Sequence, residues 1–202
     1  DCFRDSNDFA DVVAVRNYIS KVSGFKSINI IERTKNYGLS KSLVAGIDYV
    51  LGKHDSIIVI EDDIRVTPSF LNYMNKCLTE FRSETSVVSI SGYTLPIFGE
   101  DHLQLYTMRG ADCWGWGTWS DRWKVYCEDG RFLYNKIISN GELDRFDLFG
   151  AYDFSGLLRR EFSFGYDSWA IKWHASAFIH NLHTIYPPHS LVDNIGLDGS
   201  GV

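Results

Sequence analysis

Glu61, Asp62 and Asp63 stand side by side directly after the run SIIVI (56–60), four of whose five residues are Ile or Val. Like charges that close repel one another, so the triplet needs either full solvation or a counter-charge. Adjacent carboxylates at the tip of a buried strand suit a hard divalent cation, which takes oxygen ligands and shares its other positions with water or phosphate oxygens. The plainer reading is a solvated strand end whose acids favour the N-terminus of the next helix. Thr67 or Ser69 is able to cap that helix, which leaves the acids free for a metal. The spacing is not the Asp-x-Asp-x-Thr of strand-end phosphohydrolases, because Glu61 holds its first place and Arg65 its last. No GxxxxGK[ST] loop occurs, and the Gly-rich GLDGSG (196–201) is a weak dinucleotide signal without a strand before it and a helix after it.

A second concentration of chemistry lies at CWGWGTWSDRW (113–123), where Trp114, Trp116, Trp119 and Trp123 gather four of the six tryptophans. Trp119 and Trp123, four apart, read as one core face of a helix. Trp114 and Trp116 read either as core or as flat apolar faces for a sugar, with Gly115 and Gly117 letting the chain approach a ligand closely. Arg109 and Asp112, just before, have the groups to contact sugar hydroxyls or a diphosphate.

The elements that must hold these groups alternate in the first half. Residues 8–23 place Phe9, Val12, Val13, Ile19 and Val22 near one helical face, with Gly24 as a stop. INIIE (28–32) predicts a strand. SKSLVAGIDYVLG (40–52) predicts a helix capped by Ser40, with Leu43, Ile47, Val50 and Leu51 inward. SIIVI is apolar throughout, as in a parallel strand covered on both faces. Pro68 opens a helix in which Phe70, Met74, Leu78 and Phe81 recur at spacings of four, four and three, and SVVSIS (86–91) is the next strand. This rhythm predicts an α/β fold with a mostly parallel central sheet flanked by helices and right-handed crossovers. In such sheets ligands bind outside the carboxyl ends of the strands, which is where the acid triplet falls. The second half predicts two polar helical stretches at about 132–148, a strong helix over 168–181 and a short strand at TIYP (184–187).

The chain has 202 residues, 45% apolar, enough for one sizeable core and one domain. A net charge of −6 with no Lys/Arg run argues against nucleic-acid binding. No apolar stretch is long enough for a bilayer span. Four scattered cysteines without a CxxC pair disfavour zinc and predict reduced thiols in a cytoplasmic protein, with a Cys113–Cys127 bridge as the oxidised alternative. Without an opening Met, and with a Gly-rich close, the sequence reads as a piece of a longer chain.

IIVIEDDIRVTPSFLNYM (57–74) resembles the metal-binding strand end and following helix of GT-A glycosyltransferases, notably N-acetylglucosaminyltransferase I and related bacterial nucleotide-sugar transferases. The likeness continues in the same order through NYGLSKSLVAGIDYVL (36–51), SVVSISGY (86–93), the tryptophan block and GYDSWAIKW…NIGLDGSG (165–201). It implies the GT-A fold, with the first strand upstream of Asp1, as a single catalytic domain whose residues 1–100 form the nucleotide and metal half and 101–202 the acceptor half. Asp63 would be the direct ligand of Mn²⁺ or Mg²⁺, with Asp62 and Glu61 on the ribose or on metal-bound water. Asp1 resembles the acid that contacts the base, and Asn36, Lys41 and the turn to Leu39 match a stretch lining the nucleotide site. A turn followed by a helix cap explains that stretch equally well. Asp167 would be the base that deprotonates an acceptor hydroxyl in an inverting reaction. The pattern admits a one-residue offset onto Ser168, and Asp167 also reads as a solvated helix cap. The segment from His189 to Asp198 would fold over the donor; no His follows Asp198 to add a metal ligand.

The resemblance therefore implies a metal-dependent transferase moving a sugar from a nucleotide-diphosphate donor, UDP favoured, to a hydroxyl of a glycan or glycolipid. Its setting would be surface glycan synthesis at the cytoplasmic face of a membrane. A nucleotidyltransferase making nucleotide sugars, and a sugar-binding relative without turnover, are the alternatives.

Overall fold

The computed structural model describes residues 2–4, 8–95, 104–165 and 167–196. They divide into two compact units, Asp1–Gly46 and Ile47–Val202.

In the first unit, α1 (Phe9–Ile19) forms where the periodicity placed it, yet none of its residues is buried. Phe9, Val13 and Val22, expected to face a core, are exposed. Arg16 Nη2 donates to the Arg33 carbonyl at 2.8 Å, and its guanidinium pairs with Glu32 at 3.5 Å. INIIE is not a strand: it has no ladder among the described residues, and Ile28, Ile30 and Ile31 are exposed. The β-propensity of such a run expresses its fit against a neighbouring strand and does not create one. α2 (Leu39–Leu51) carries the chain into the second unit; Ser40, expected as its cap, is buried inside its first turn, and Ile47 is buried as expected.

The second unit is an α/β structure. Its strands in chain order are β1 (Ser56–Val59), β2 (Ile64–Val66), β3 (Val87–Ser91), β4 (Tyr106–Arg109), β5 (Trp116–Trp119), β6 (His183–Tyr186) and β7 (Val192–Asn194). Five of them form one sheet in the order β1-β5-β3-β6-β4, and β2 pairs with β7 in a separate ribbon. The sheet is mixed where a mostly parallel one was expected. Among the described residues only β3 and β6 pair in parallel, because β5 inserts antiparallel between β1 and β3, and β4 pairs antiparallel with β6. β1, β3 and β6 nevertheless point the same way. SIIVI, expected inside the sheet, supplies the terminal strand of these ladders and is half-buried, whereas every residue of β3 is buried.

Alternation along β5 explains how the sheet is covered. Trp119 joins Phe70, Met74 and Leu78 of α3 (Phe70–Glu80), with Ile90 and Ile185, in one apolar cluster. Trp116, on the opposite face of β5, stacks among Trp169 and Trp173 of the last long helix. That helix, α8 (Trp169–Ile179), also closes a second cluster with α5 (Gly130–Ser139), α6 (Leu143–Phe146) and α7 (Phe154–Phe164), built on Leu133, Ile137, Phe146, Leu158 and Ile171. A one-turn helix, α4 (Ser120–Trp123), brings Trp123 onto Trp173 at 4.9 Å between ring centroids. Cys113 and Cys127 form no bridge. Among the described residues no helix is long and apolar enough to cross a membrane.

Candidate functional site

The acid triplet occupies a tight turn. β1 ends at Val59, and the Ile64 amide donates to the Glu61 carbonyl at 3.1 Å, so Glu61–Ile64 reverses the chain into β2. The acids do not cap α3: Ser69 holds the cap position, and no acid lies in the first turn. The ribbon then fixes the far side. Ile64 pairs with Asn194, and the Ile195 amide donates to the Asp63 carbonyl at 2.9 Å. Gly196 follows directly, so close to Asp63 that an added Cβ would stand 2.6 Å from Oδ2. Burial, and then the charges of Asp63 and Asp62, push Glu61 up to about 7.

A second wall comes from the loop between β4 and β5. Asp112 Oδ1 accepts from the Trp114 amide at 2.9 Å, and burial raises its carboxyl to about 6 against that amide and the amide of Cys113. Burial drives the Cys113 thiol well above its ordinary value, with Asp112, Glu61 and Asp63 adding to it. Those contributions set the loop and the acid turn within electrostatic reach of each other. Backbone bonds from Gly92 N to Gly115 O at 2.7 Å and from Leu191 N to Gly92 O at 2.8 Å bring Tyr93 beside them. Its ring meets Trp114 edge-on at 4.7 Å.

Behind Trp114 lies a cavity of about 300 Å³, lined by aromatic and aliphatic side chains with Asp112, Ser168 and His174 among its few polar members. His174 Nδ1 lies 2.8 Å from the Ala111 carbonyl, and Phe154 stacks on the imidazole at 4.3 Å. Burial lowers this ring to about 4, against the effect of the carbonyl, so it is neutral near pH 7. A carbonyl only accepts, so Nδ1 carries the proton and Nε2 keeps its lone pair.

The expected site residues separate into distinct environments. Glu61, Asp62 and Asp63 share the turn, and Trp114 lines the cavity. Trp116, expected beside a sugar, is wholly buried among Trp123, Trp169 and Trp173, and its indole nitrogen has no hydrogen-bond partner among the described residues. Gly115 and Gly117, expected to admit a ligand, admit the protein's own groups: Val192 and Phe70 at Gly115, the Ile57 carbonyl and Met74 at Gly117. Arg109 lines the cavity, but its guanidinium forks onto Glu142 at 2.5 and 2.9 Å and donates to the Phe178 carbonyl at 2.9 Å. Asp167 pairs with Lys172 at 2.9 Å, and Lys172 with Glu161 at 2.8 Å. Ser168, the neighbouring position, is the one that lines the cavity. Asn36 and Lys41 belong to the first unit. Asn36 donates to the Cys2 carbonyl at 2.7 Å and accepts from Gly38 at 2.9 Å, while Lys41 is exposed. His189 is exposed, and Asp1, Tyr166 and Asp198 lie outside the described residues.

Sequence reasoning gave His174, Tyr93 and Gly196 no role of their own and considered Cys113 only as a thiol or as half of a bridge. His174 had one visible signal, a lone imidazole inside the mostly apolar helix WAIKWHASAFI, whose other polar residues are Lys172 and Ser176. Among the described residues no group of three or more His, Cys, Asp or Glu is arranged to hold a metal ion. No protein-family model matches the chain, and no curated protein matches it.

Proposed function

We propose that the chain is a metal-dependent, nucleotide-sugar glycosyltransferase of the GT-A type, transferring a sugar from a UDP-class donor to an acceptor hydroxyl. The observation that carries this reading is the turn Glu61–Ile64: three carboxylates at the end of an apolar strand, with Gly196 against Asp63 and the Asp112–Trp114 loop within electrostatic reach. The ordered resemblance over most of the chain supports the same reading, and the mixed α/β sheet accommodates it.

Carboxylate oxygens are the ligand type a hard cation takes, but the three acids are not gathered into a cage, so an ion here would rest on few protein ligands. Asp63 would hold Mn²⁺ or Mg²⁺, and Glu61 and Asp62 would orient its water or the ribose; the other ligands of such an ion come from water and diphosphate oxygens. When bound, the ion stabilises negative charge on the leaving diphosphate. Trp114 offers an apolar face for a sugar ring. Asp167 would need to release Lys172 to act as a base, since a carboxylate held by an ammonium is a weaker proton acceptor. That pairing also favours a second reading, a sugar-binding relative without turnover. A location at the cytoplasmic face of a membrane follows from the resemblance alone.

Calorimetry on the full-length chain with UDP, with and without Mn²⁺, tests the reading. Binding should require the metal and disappear in Asp63→Ala. Donor hydrolysis across UDP-, GDP- and dTDP-sugars then separates the transferase from the binding relative. Pyrophosphate release from a sugar phosphate and a nucleoside triphosphate would reveal a nucleotidyltransferase instead. Failure of every nucleotide diphosphate to bind in the presence of Mn²⁺ or Mg²⁺ refutes the proposal.

A further inference from the structure

We propose that Asp112, and not Asp167, is the general base of the transfer, taking the proton of an acceptor hydroxyl placed against Trp114 in the cavity. The assignment rests on the transferase reading above and gives that reading its base.

Position comes first. Asp112 lines the cavity beside Trp114, the ring offered to a sugar, and it is only half-buried, so part of its surface stays open. Among the described residues it is the one carboxylate of that wall. Burial, and then the charge of Asp112, raises the Tyr93 phenol, and the same two causes in the same order raise Tyr186 well above its ordinary value. Both tyrosines line the cavity, so two of its other walls feel the carboxylate. Cys113, the next residue of the loop, feels Glu61 and Asp63 of the turn that would hold the donor diphosphate. The hydroxyls of Tyr93, Tyr152, Tyr186 and Ser168 add partners for a sugar, in a space of about 300 Å³.

Chemistry comes second. Asp167 is held 2.9 Å from the Lys172 ammonium and does not line the cavity. Asp112 has no ion pair among the described residues; its bonds are to the amides of its own loop, Trp114 and Cys113. Arg109, the guanidinium of the same wall, is forked onto Glu142. Burial outweighs the two amides and holds the Asp112 carboxyl at about 6 against 3.8, so near pH 7 it is ionised yet takes a proton more readily than an exposed aspartate. His174, held near 4 with its Nδ1 proton on the Ala111 carbonyl, is a weaker acceptor, and burial keeps the Cys113 thiol and the Tyr186 phenol protonated. In the step itself the hydroxyl proton passes to Asp112 and the freed oxygen bonds to the anomeric carbon. The bond from that carbon to the diphosphate oxygen breaks, and its electron pair leaves on the nucleoside diphosphate.

Turnover of the full-length chain with Mn²⁺ and the panel of UDP-, GDP- and dTDP-sugars tests this, with water as the acceptor and nucleotide release as the readout. Asp112→Asn is the decisive variant, because its side-chain oxygen still accepts from the Trp114 amide and the loop is preserved. Its kcat should fall about 100-fold or more, with nucleotide affinity by calorimetry unchanged. Wild-type kcat should fall about tenfold per pH unit below about 6. Glu61, at about 7, titrates in the same window, so the limb is assigned by its disappearance in Asp112→Asn and its persistence in Asp167→Asn. Wild-type kcat in Asp112→Asn, a limb that survives there, or a limb lost in Asp167→Asn overturns the proposal. Should Asp112→Asn fail to fold, Asp112→Ser, whose hydroxyl can accept the same amide, replaces it with the same expectations. Metal-dependent nucleotide binding without any turnover overturns the base and leaves the nucleotide site standing, whereas absence of nucleotide binding overturns the transferase reading itself.

Discussion

Replacing Gly196 by alanine would place a methyl carbon 2.6 Å from Asp63 Oδ2, 3.0 Å from its Cβ and 3.2 Å from its Cγ. Ordinary contact begins near 3.4 Å, so the worst overlap is about 0.8 Å, the difference between 3.4 and 2.6. Rotating the carboxylate would relieve Oδ2 alone, because Cβ and Cγ are themselves too close. The backbone must therefore give, yet the Ile195 amide ties it to the Asp63 carbonyl at 2.9 Å. The cheapest relief moves the Asp63 side chain by several tenths of an ångström to about 1 Å. A displacement of about 1 Å at a group that must meet its partner in fixed geometry costs on the order of 100-fold.

The prediction is that Gly196→Ala weakens Mn²⁺-dependent UDP binding by about 10- to 100-fold, read by calorimetry. Its unfolding midpoint should fall only slightly, because the ribbon hydrogen bonds remain available. Wild-type nucleotide affinity in Gly196→Ala, with the variant folded, would refute the reasoning that Gly196 is small in order to seat Asp63. A large loss of stability with unchanged affinity would refute it in the other direction, making the glycine a requirement of the ribbon alone.

Gly117→Ala puts a Cβ 2.9 Å from the Ile57 carbonyl and 3.1 Å from Met74, between two strands and a helix. Urea unfolding should record a loss of about 1–3 kcal/mol, as for other overpacked cores, with nucleotide binding intact. Lys172→Met removes the ammonium shared by Glu161 and Asp167 and leaves Glu161, whose side chain is 13% exposed, without its partner. The loss should be about 3 kcal/mol, mostly from Glu161, and Glu161→Gln in the same background should recover part of it. Burial alone would lower the Lys172 amine, but its bonds to Glu161 and Asp167 outweigh that and raise it above 10.5. Its contribution is therefore complete below pH 10.5 and lost as pH rises through the raised value. His174 behaves oppositely. Burial holds it near 4 against 6.5 in the unfolded chain, so stability present above pH 6.5 is lost as pH falls toward 4. The shift corresponds to up to about 3 kcal/mol. Asp112, raised to about 6, works in the reverse sense over the same window. The difference between wild type and His174→Gln in urea unfolding at pH 7 and pH 4.5 isolates the histidine. An identical pH dependence in the two proteins would refute the neutral imidazole.

How much was legible varies with the kind of signal. α3 was readable because Phe70, Met74 and Leu78 repeat along one stripe and that stripe is what the sheet covers. The last helix was readable from a long run of apolar residues, and it is buried over most of its surface and not along one stripe. β5 was not, since a four-residue strand WGTW carries a glycine where β-branched residues usually advertise a strand. Missing it forced the wrong sheet: without β5, SIIVI and SVVSIS look like parallel neighbours, and with it they are separated by an antiparallel strand. INIIE erred the other way, a strand-like composition with no ladder among the described residues. At the site, the acid triplet was visible because its three charges are contiguous. The cavity was not, because its parts meet only in space: His174 bonds to Ala111, 63 residues earlier.

The glycines decide how the two halves of the site should be understood. Near the tryptophans, small residues looked like clearance for a ligand, but at Gly117 the clearance is filled by Ile57 and Met74, and Trp116 beside it is sealed in the core. A glycine in an aromatic block is thus as well explained by the need to let bulky rings and a neighbouring strand close up as by binding. Gly196 differs in what it faces: a carboxylate on a turn that already holds two others. No apolar packing is gained by crowding a backbone against Asp63, and an acid forced to keep like-charged company is tolerated where a cation or a bound ligand offsets the repulsion. Small size at Gly117 therefore serves the fold, and small size at Gly196 serves the acid turn. Comparing Gly117→Ala with Gly196→Ala separates these roles, since the first should move stability and spare nucleotide binding while the second does the reverse.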